Sequence, residues 1–175
     1  VTSSEVRTRR LLLRRPRLDD ATAIFARYAS VPEVTRFLAW RRHETIDQTR
    51  AFVRFSETEW HRRGCGPYLI WSLDGATLLG STGLLFETSE RAITGYVLAH
   101  DAWGRGYATE ALRAMIDVAR RVGLQEVDAS CHMAHHASAH ILEKCGFTLI
   151  GSLPEQAFPN LSPPRAPALH YRINP

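Results

Sequence analysis

The sequence predicts a mixed α/β fold of the α+β kind, built on a mostly antiparallel sheet of about seven strands. Three observations carry that expectation. Strand formers recur in three runs between residues 67 and 99 with turn residues between them, which reads as an antiparallel meander. Ala108, Leu112, Met115, Ile116 and Ala119 then trace one helical stripe, with Gly123 placed to terminate it. Strand and helix patterns alternate onward to residue 153, giving a strand–helix–strand–helix–strand tail.

Taken in order, Leu11-Leu12-Leu13 is a first strand stopped by Pro16. Asp19 or Asp20 can cap a helix carrying Ala23, Ile24, Ala26 and Tyr28, ending near Ser30-Val31-Pro32. A second helix starts at Thr45 or Asp47, carries Ala51, Phe52, Phe55 and Trp60, and ends at Gly64. Pro67 to Leu73 and Thr77 to Phe86 form a hairpin about Asp74-Gly75, and Ile93 to Ala99 adds the next strand. After the long helix come a strand at Leu124 to Cys131, a short helix at Ser138 to Cys145 closed by Gly146, and a strand at Phe147 to Leu153. Pro154 to Pro167 reads as a loop and Ala168 to Ile173 as a final strand. With no internal repeat or linker, residues 1–175 are expected to form one domain.

Composition narrows the function classes. No apolar run is long enough to span a bilayer and no secretory signal opens the chain, so a soluble cytoplasmic protein is expected, without membrane partners. Cys65, Cys131 and Cys145 are odd in number and lack metal-site spacing, as buried reduced thiols would be. The net charge of +4 favours an anionic ligand, but the arginine pairs are scattered and no aromatic-interleaved basic motif accompanies them, so nucleic acid is not expected.

The clearest chemical signal lies between a strand end and the long helix. Gly104, Gly106 and Ala108 leave successive backbone N–H groups open where the helix dipole adds positive potential, and Arg105 adds a cation beside them. Such a turn suits a diphosphate. It is neither a Walker A loop nor a complete dinucleotide fingerprint, since Thr109 takes the last glycine's place.

The run Gly95-Tyr96-Val97-Leu98, then Trp103-Gly104-Arg105-Gly106-Tyr107-Ala108-Thr109-Glu110-Ala111, resembles the acyl-CoA signature of the GNAT superfamily of N-acetyltransferases. His135-His136-Ala137-Ser138, continuing to Glu143-Lys144-Cys145-Gly146-Phe147, resembles a second motif of the branch similar to ribosomal-protein N-terminal acetyltransferases. The resemblance covers nearly the whole chain. It implies helices on both faces of the sheet and splayed fourth and fifth strands, Ile93 to Ala99 and Leu124 to Cys131, with pantetheine in the gap. Backbone groups of Val97 and Leu98 would pair with pantetheine, and amides of Gly104, Arg105, Gly106, Tyr107, Ala108 and Thr109 would hold the pyrophosphate. Acetyl-CoA would be the cosubstrate and a primary amine, on a protein N-terminus or a small molecule, the acceptor. Dimers are common in the resembling branch.

The same resemblance makes Ser138 the candidate acid or hydrogen-bond partner of the leaving thiol. His135 stands where the motif usually has asparagine, able to cap the helix or bond CoA. The position that often carries the family's catalytic glutamate is Ile93, so Glu87, Glu90, His132 and His135 are the residues left to relay a proton, with a histidine preferred. Glu110 suits the helix N-terminus. No metal is expected, because neither a carboxylate nor a second cysteine completes a ligand set around His132, His135, His136 and His140. The rival readings are a CoA-binding module of the same fold without turnover and, further off, a metal- or RNA-binding protein.

Overall fold

The computed structural model describes residues 4–175 and contains one sheet of eight strands. They are β1 (Glu5–Arg7), β2 (Leu11–Arg14), β3 (Pro67–Ser72), β4 (Leu78–Phe86), β5 (Arg91–Leu98), β6 (Glu126–His132), β7 (Thr148–Ala157) and β8 (Arg165–Ile173). In space the order is β1-β2-β3-β4-β5-β6-β8-β7, with β8 inserted between β6 and β7. Every pairing is antiparallel except β5 with β6.

That exception makes the site. The two strands pair only through Arg91↔Glu126, Ala92↔Val127 and Ile93↔Asp128. Beyond Ile93, β5 runs on to Leu98 and β6 to His132 without pairing, so they splay as the resemblance implied.

Several elements form for local reasons. Helix α3 (Ile46–Arg63) starts at a capping box, in which Thr45 and Gln48 satisfy each other's backbone N–H groups, and ends at Gly64 in the left-handed region (φ 66°). Helix α4 (Tyr107–Arg121) buries Ala108, Leu112, Met115, Ile116 and Ala119, the stripe read from sequence, and Val118 beside it. Each large side chain so buried contributes about 1.5–3 kcal/mol. Helix α5 (His136–Lys144) packs with α4 over one sheet face, joining a core that includes Tyr68, Ile70, Leu98, Val127 and Tyr171. On the opposite face Leu69, Leu78 and Val97 pack with Ile24, Tyr28 and Val53, from α1 (Ala21–Ile24), its π-helical continuation through Ala29, and α3.

Eight strands agree with the expected seven or so, the additional one being β1 ahead of Leu11, too short to show a pattern of its own. Three expectations need correction. Pro32 opens rather than ends a helix: it is the first residue of α2 (Pro32–Thr35), where its missing N–H costs nothing. Pro154–Ala157 and Arg165–Pro167, expected in a loop, lie within β7 and β8. Pro154 is tolerated because β7 is the edge strand and its pairing is irregular between Leu153 and Gln156. Finally, the ring of His135 does not cap α5; the residue's carbonyl accepts from Ser138 N–H (3.0 Å) and Ala139 N–H (3.2 Å) instead. No helix among the described residues is long and apolar enough to cross a membrane.

Candidate active site

A cavity of about 680 Å³ occupies the splay. One wall is Tyr96 to Leu98 of β5; another is Gly104 with the first turn of α4; His135 just ahead of α5 joins Ser138 and Ile141 from that helix; α2 and the chain after it supply Glu33, Val34, Arg36, Phe37 and Leu38.

At the turn ahead of α4, Gly104 (φ 70°) and Gly106 (φ 76°) both take left-handed backbone conformations, which only glycine adopts cheaply. The first intrahelical bond of α4 runs from Glu110 N–H to Gly106 O (3.1 Å), leaving the N–H groups of Tyr107, Ala108 and Thr109 without helical partners. The turn is braced from outside. Glu110 accepts from Thr8 Oγ1 (2.7 Å), Arg10 N–H (2.8 Å) and Arg10 Nε (2.7 Å), while Arg10 also donates to Arg105 O (2.8 Å) and lies over the Tyr107 ring. Burial alone would raise the Glu110 carboxyl, but these bonds outweigh it and hold the group below its ordinary value. The expected Glu110 role at the helix start is therefore joined to an anchor on the β1–β2 turn. Arg105 does not line the cavity; its guanidinium lies over Tyr107.

The other end of the gap is set by strand alternation. Ala99 N–H bonds Leu79 O (2.8 Å), and a Cβ added at Gly80 would collide with Val97 O. Peptide groups of Val97 thus turn toward β4, and those of Tyr96 and Leu98 toward the open side. Val97 nonetheless belongs to the cavity lining. Leu98 O is already taken by Trp103 Nε1–H (2.9 Å), so Leu98 N–H is the donor that faces the gap.

Ser138 is buried, and its hydroxyl meets Tyr96 Oη (2.8 Å) and the Cys131 thiol rather than the backbone of its own helix. Tyr96 Oη also donates to Ser138 O (3.1 Å). Burial pushes the Tyr96 phenol far above its usual range, with the Ser138 bond opposing, so the phenol stays protonated. The ring of His135 lines the cavity, stacked on Phe37 at 4.9 Å. Burial, reinforced by the neighbouring His132 and His136, lowers its pKa and favours the neutral imidazole. His132 sits behind it, outside the lining, with its ring between Phe37 and Phe158. Its Nδ1 accepts from Ala134 N–H (3.0 Å), which leaves the ring hydrogen on Nε2 and no lone pair for a substrate proton.

The remaining candidates lie elsewhere. Glu87 pairs with Arg91, and Glu90 O accepts from Gln125 N–H, at the far end of the sheet. Ile93 is exposed and not in the lining. Glu33 is the carboxylate that does line the cavity, and no sequence signal marked it or the short helix α2 that carries it. Tyr96 was legible as a strand residue sharing the parity of Leu98; Asn160, which holds the α2–α3 connection through Thr35 O (2.8 Å), Trp40 O (2.9 Å) and Arg42 N–H (2.8 Å), carried no local signal. All three cysteines are buried and free, and burial raises each thiol, Cys65 to about 11, so none is poised as a thiolate. Among the described residues no three His, Cys, Asp or Glu side chains gather as a metal site.

Residues 10–148 match the acetyltransferase (GNAT) domain family. An uncharacterized N-acetyltransferase of Bacillus subtilis, YoaA, is 29% identical over 163 residues, covering 89% of each chain. Among solved structures, the microcin self-immunity acetyltransferase MccE, in complex with acetyl-CoA and AMP, superimposes with a TM-score of 0.85 at 17% identity, covering 99% of this chain and 98% of that one. RimL, a ribosomal α-N-protein acetyltransferase in complex with coenzyme A, gives 0.82 at 21% identity and 95% coverage of both chains.

Proposed function

Because the chain belongs to the acetyltransferase (GNAT) domain family, we propose that it moves an acetyl group from acetyl-CoA to a primary amine by direct attack in a ternary complex. One observation carries this reading: the open N–H groups at the start of α4 stand at one end of a cavity whose other end lies between two strands held apart. A diphosphate fits the helix start, since backbone donors and dipole act there together. A slender amide-bearing arm fits the gap, where the peptides of Tyr96 and Leu98 lack a strand partner.

The chain's residues divide the work. Tyr107, Ala108 and Thr109 N–H groups grip the pyrophosphate. Leu98 N–H faces the gap where an oxyanion would develop on the thioester carbonyl. His135, neutral and in the lining, takes a proton from the attacking amine, directly or through one water. Ser138 Oγ–H meets the sulfur as the C–S bond breaks and the electron pair stays on sulfur. An α-amine, with an ordinary pKa of about 7.7–8.0, needs less help from such a base than lysine at about 10.4. A protein N-terminus or an unhindered small amine is therefore the acceptor class, admitted past Glu33 and Phe37.

The test is release of free thiol from acetyl-CoA across a panel of peptide N-termini and small amines, with CoA affinity measured by calorimetry. Turnover with at least one amine is expected. Tight CoA binding with no thiol release above background would make the chain a CoA-binding module instead, and absence of CoA binding would remove the reading altogether.

A further inference from the structure

Tyr96 and Ser138 lie 42 residues apart in sequence, yet their hydroxyls meet at 2.8 Å inside the cavity wall. Tyr96 Oη is also 3.1 Å from Ser138 O, which can only accept. The phenol has one hydrogen for two acceptors. If it goes to the carbonyl, Ser138 Oγ–H is held inside the wall by Tyr96 Oη or the Cys131 sulfur and nothing is offered to the cavity. If it goes to Ser138 Oγ, the serine hydrogen is free to turn outward.

We propose that Tyr96 is a positioning residue that makes Ser138 a switchable donor, offered to sulfur only when negative charge develops there. As the thiolate forms, Ser138 Oγ–H turns from Tyr96 Oη to sulfur, and Tyr96 Oη–H turns from Ser138 O to Ser138 Oγ. No covalent bond to hydrogen breaks in this exchange; two hydroxyls rotate. The two bonds then polarise one another, so the donor reaching sulfur is stronger than an isolated serine. An interaction made with the thiolate and not with the thioester favours the transition state over the bound substrate. The position of Tyr96 on β5 serves this well, because the strand is held from both sides below the splay and the ring enters the core beside α5.

The inference rests on the acetyl-transfer reading of the cavity, and its test needs no acceptor. Bound CoA carries a thiol whose ionisation is read from thiolate absorbance as pH is raised. In the wild-type protein that thiol is expected to ionise at lower pH than free CoA. Tyr96→Phe keeps the ring and removes only the hydroxyl, so CoA affinity at neutral pH should stay within about twofold while the ionisation moves up by about one pH unit, a tenfold change. Ser138→Ala should move it at least as far, and the double variant no further than Ser138→Ala alone. With an active amine, kcat should fall about tenfold in Tyr96→Phe with little change in KM for acetyl-CoA. A Tyr96→Phe protein that binds CoA and ionises it as the wild type does would overturn the proposal, as would shifts that add in the double variant. If Tyr96→Phe does not fold, an unchanged ionisation in Ser138→Ala overturns it equally. Failure of the wild type to bind CoA would instead strike the acetyl-transfer reading.

Discussion

Replacing Gly106 by alanine isolates the phosphate loop. At φ 76° an L-residue pays about 1–2 kcal/mol for the left-handed conformation. Sterics add little, because the new Cβ would meet nothing closer than the flexible guanidinium of Arg10 at 3.4 Å. For a chain of this size each kcal/mol lowers Tm by about 2–4 °C, so a fall of about 2–8 °C is expected. Affinity for CoA should drop further than that strain alone requires. The loop can relieve the strain by leaving φ > 0, and doing so turns the peptide that starts α4 and misaims the N–H groups of Tyr107 to Thr109. Each charge-assisted bond so weakened is worth about 1.5–3 kcal/mol, which makes a loss of about 10–100-fold in Kd the expected result. Gly106→Glu adds the same strain and sets a carboxylate beside the Arg10 guanidinium in competition with Glu110, so CoA affinity should fall at least as far. Thermal unfolding and calorimetry with CoA measure both arms. A protein that loses the predicted Tm but keeps wild-type affinity would refute the claim that these peptide nitrogens hold the anion.

Three further outcomes follow from the charges. With an active amine, kcat/KM should rise with pH through an apparent pKa below the ordinary histidine value of about 6.5, since burial favours neutral His135; His135→Gln should erase that limb and cost about 100-fold, and a limb that survives would assign the base elsewhere. Glu110→Gln should weaken CoA binding about threefold to tenfold and lower stability by about 1 kcal/mol, discounted because Arg10 is partly exposed; unchanged affinity would mean that the Arg10 brace does not hold the loop in shape. Asp128 is buried among Arg172, Arg91 and His170, whose bonds overcome the upward push of burial and hold its carboxyl well below the usual range. Its folded pKa being depressed, the stabilisation is complete above the unfolded value of about 3.9 and is lost as pH falls below it. Asp128→Asn should cost about 2–3 kcal/mol near neutrality and flatten the acid side of the stability curve, and a curve parallel to wild type below pH 5 would refute that role.

Residues with a local signature could be read without coordinates. The stripe on α4, the helix start at Thr45, Gly64 as helix terminator and the Asp74-Gly75 turn depend on neighbours within one or two turns of chain, and the structure has them where the sequence indicated. Gly104 and Gly106 belong to the same class, because a left-handed backbone ahead of a helix asks for glycine whatever surrounds it. The two motifs that carry the family resemblance are local as well, which is why the acetyltransferase family was legible early.

The geometry of the candidate site was decided by contacts that no local propensity encodes. Whether Val97 or Leu98 offers its peptide to the gap depends on strand parity against β4. The identity of the hydroxyl facing Ser138 depends on β5 meeting α5, and the release of His132 from the proton path depends on one N–H two residues downstream. The wall at Glu33 to Leu38 is connected through Asn160, more than a hundred residues away in sequence. Local interactions choose helix, strand and turn because their partners are already tethered close together. Placing donors from distant segments around one cavity takes the closure of long loops against chain entropy, and only the packed core as a whole compensates for that.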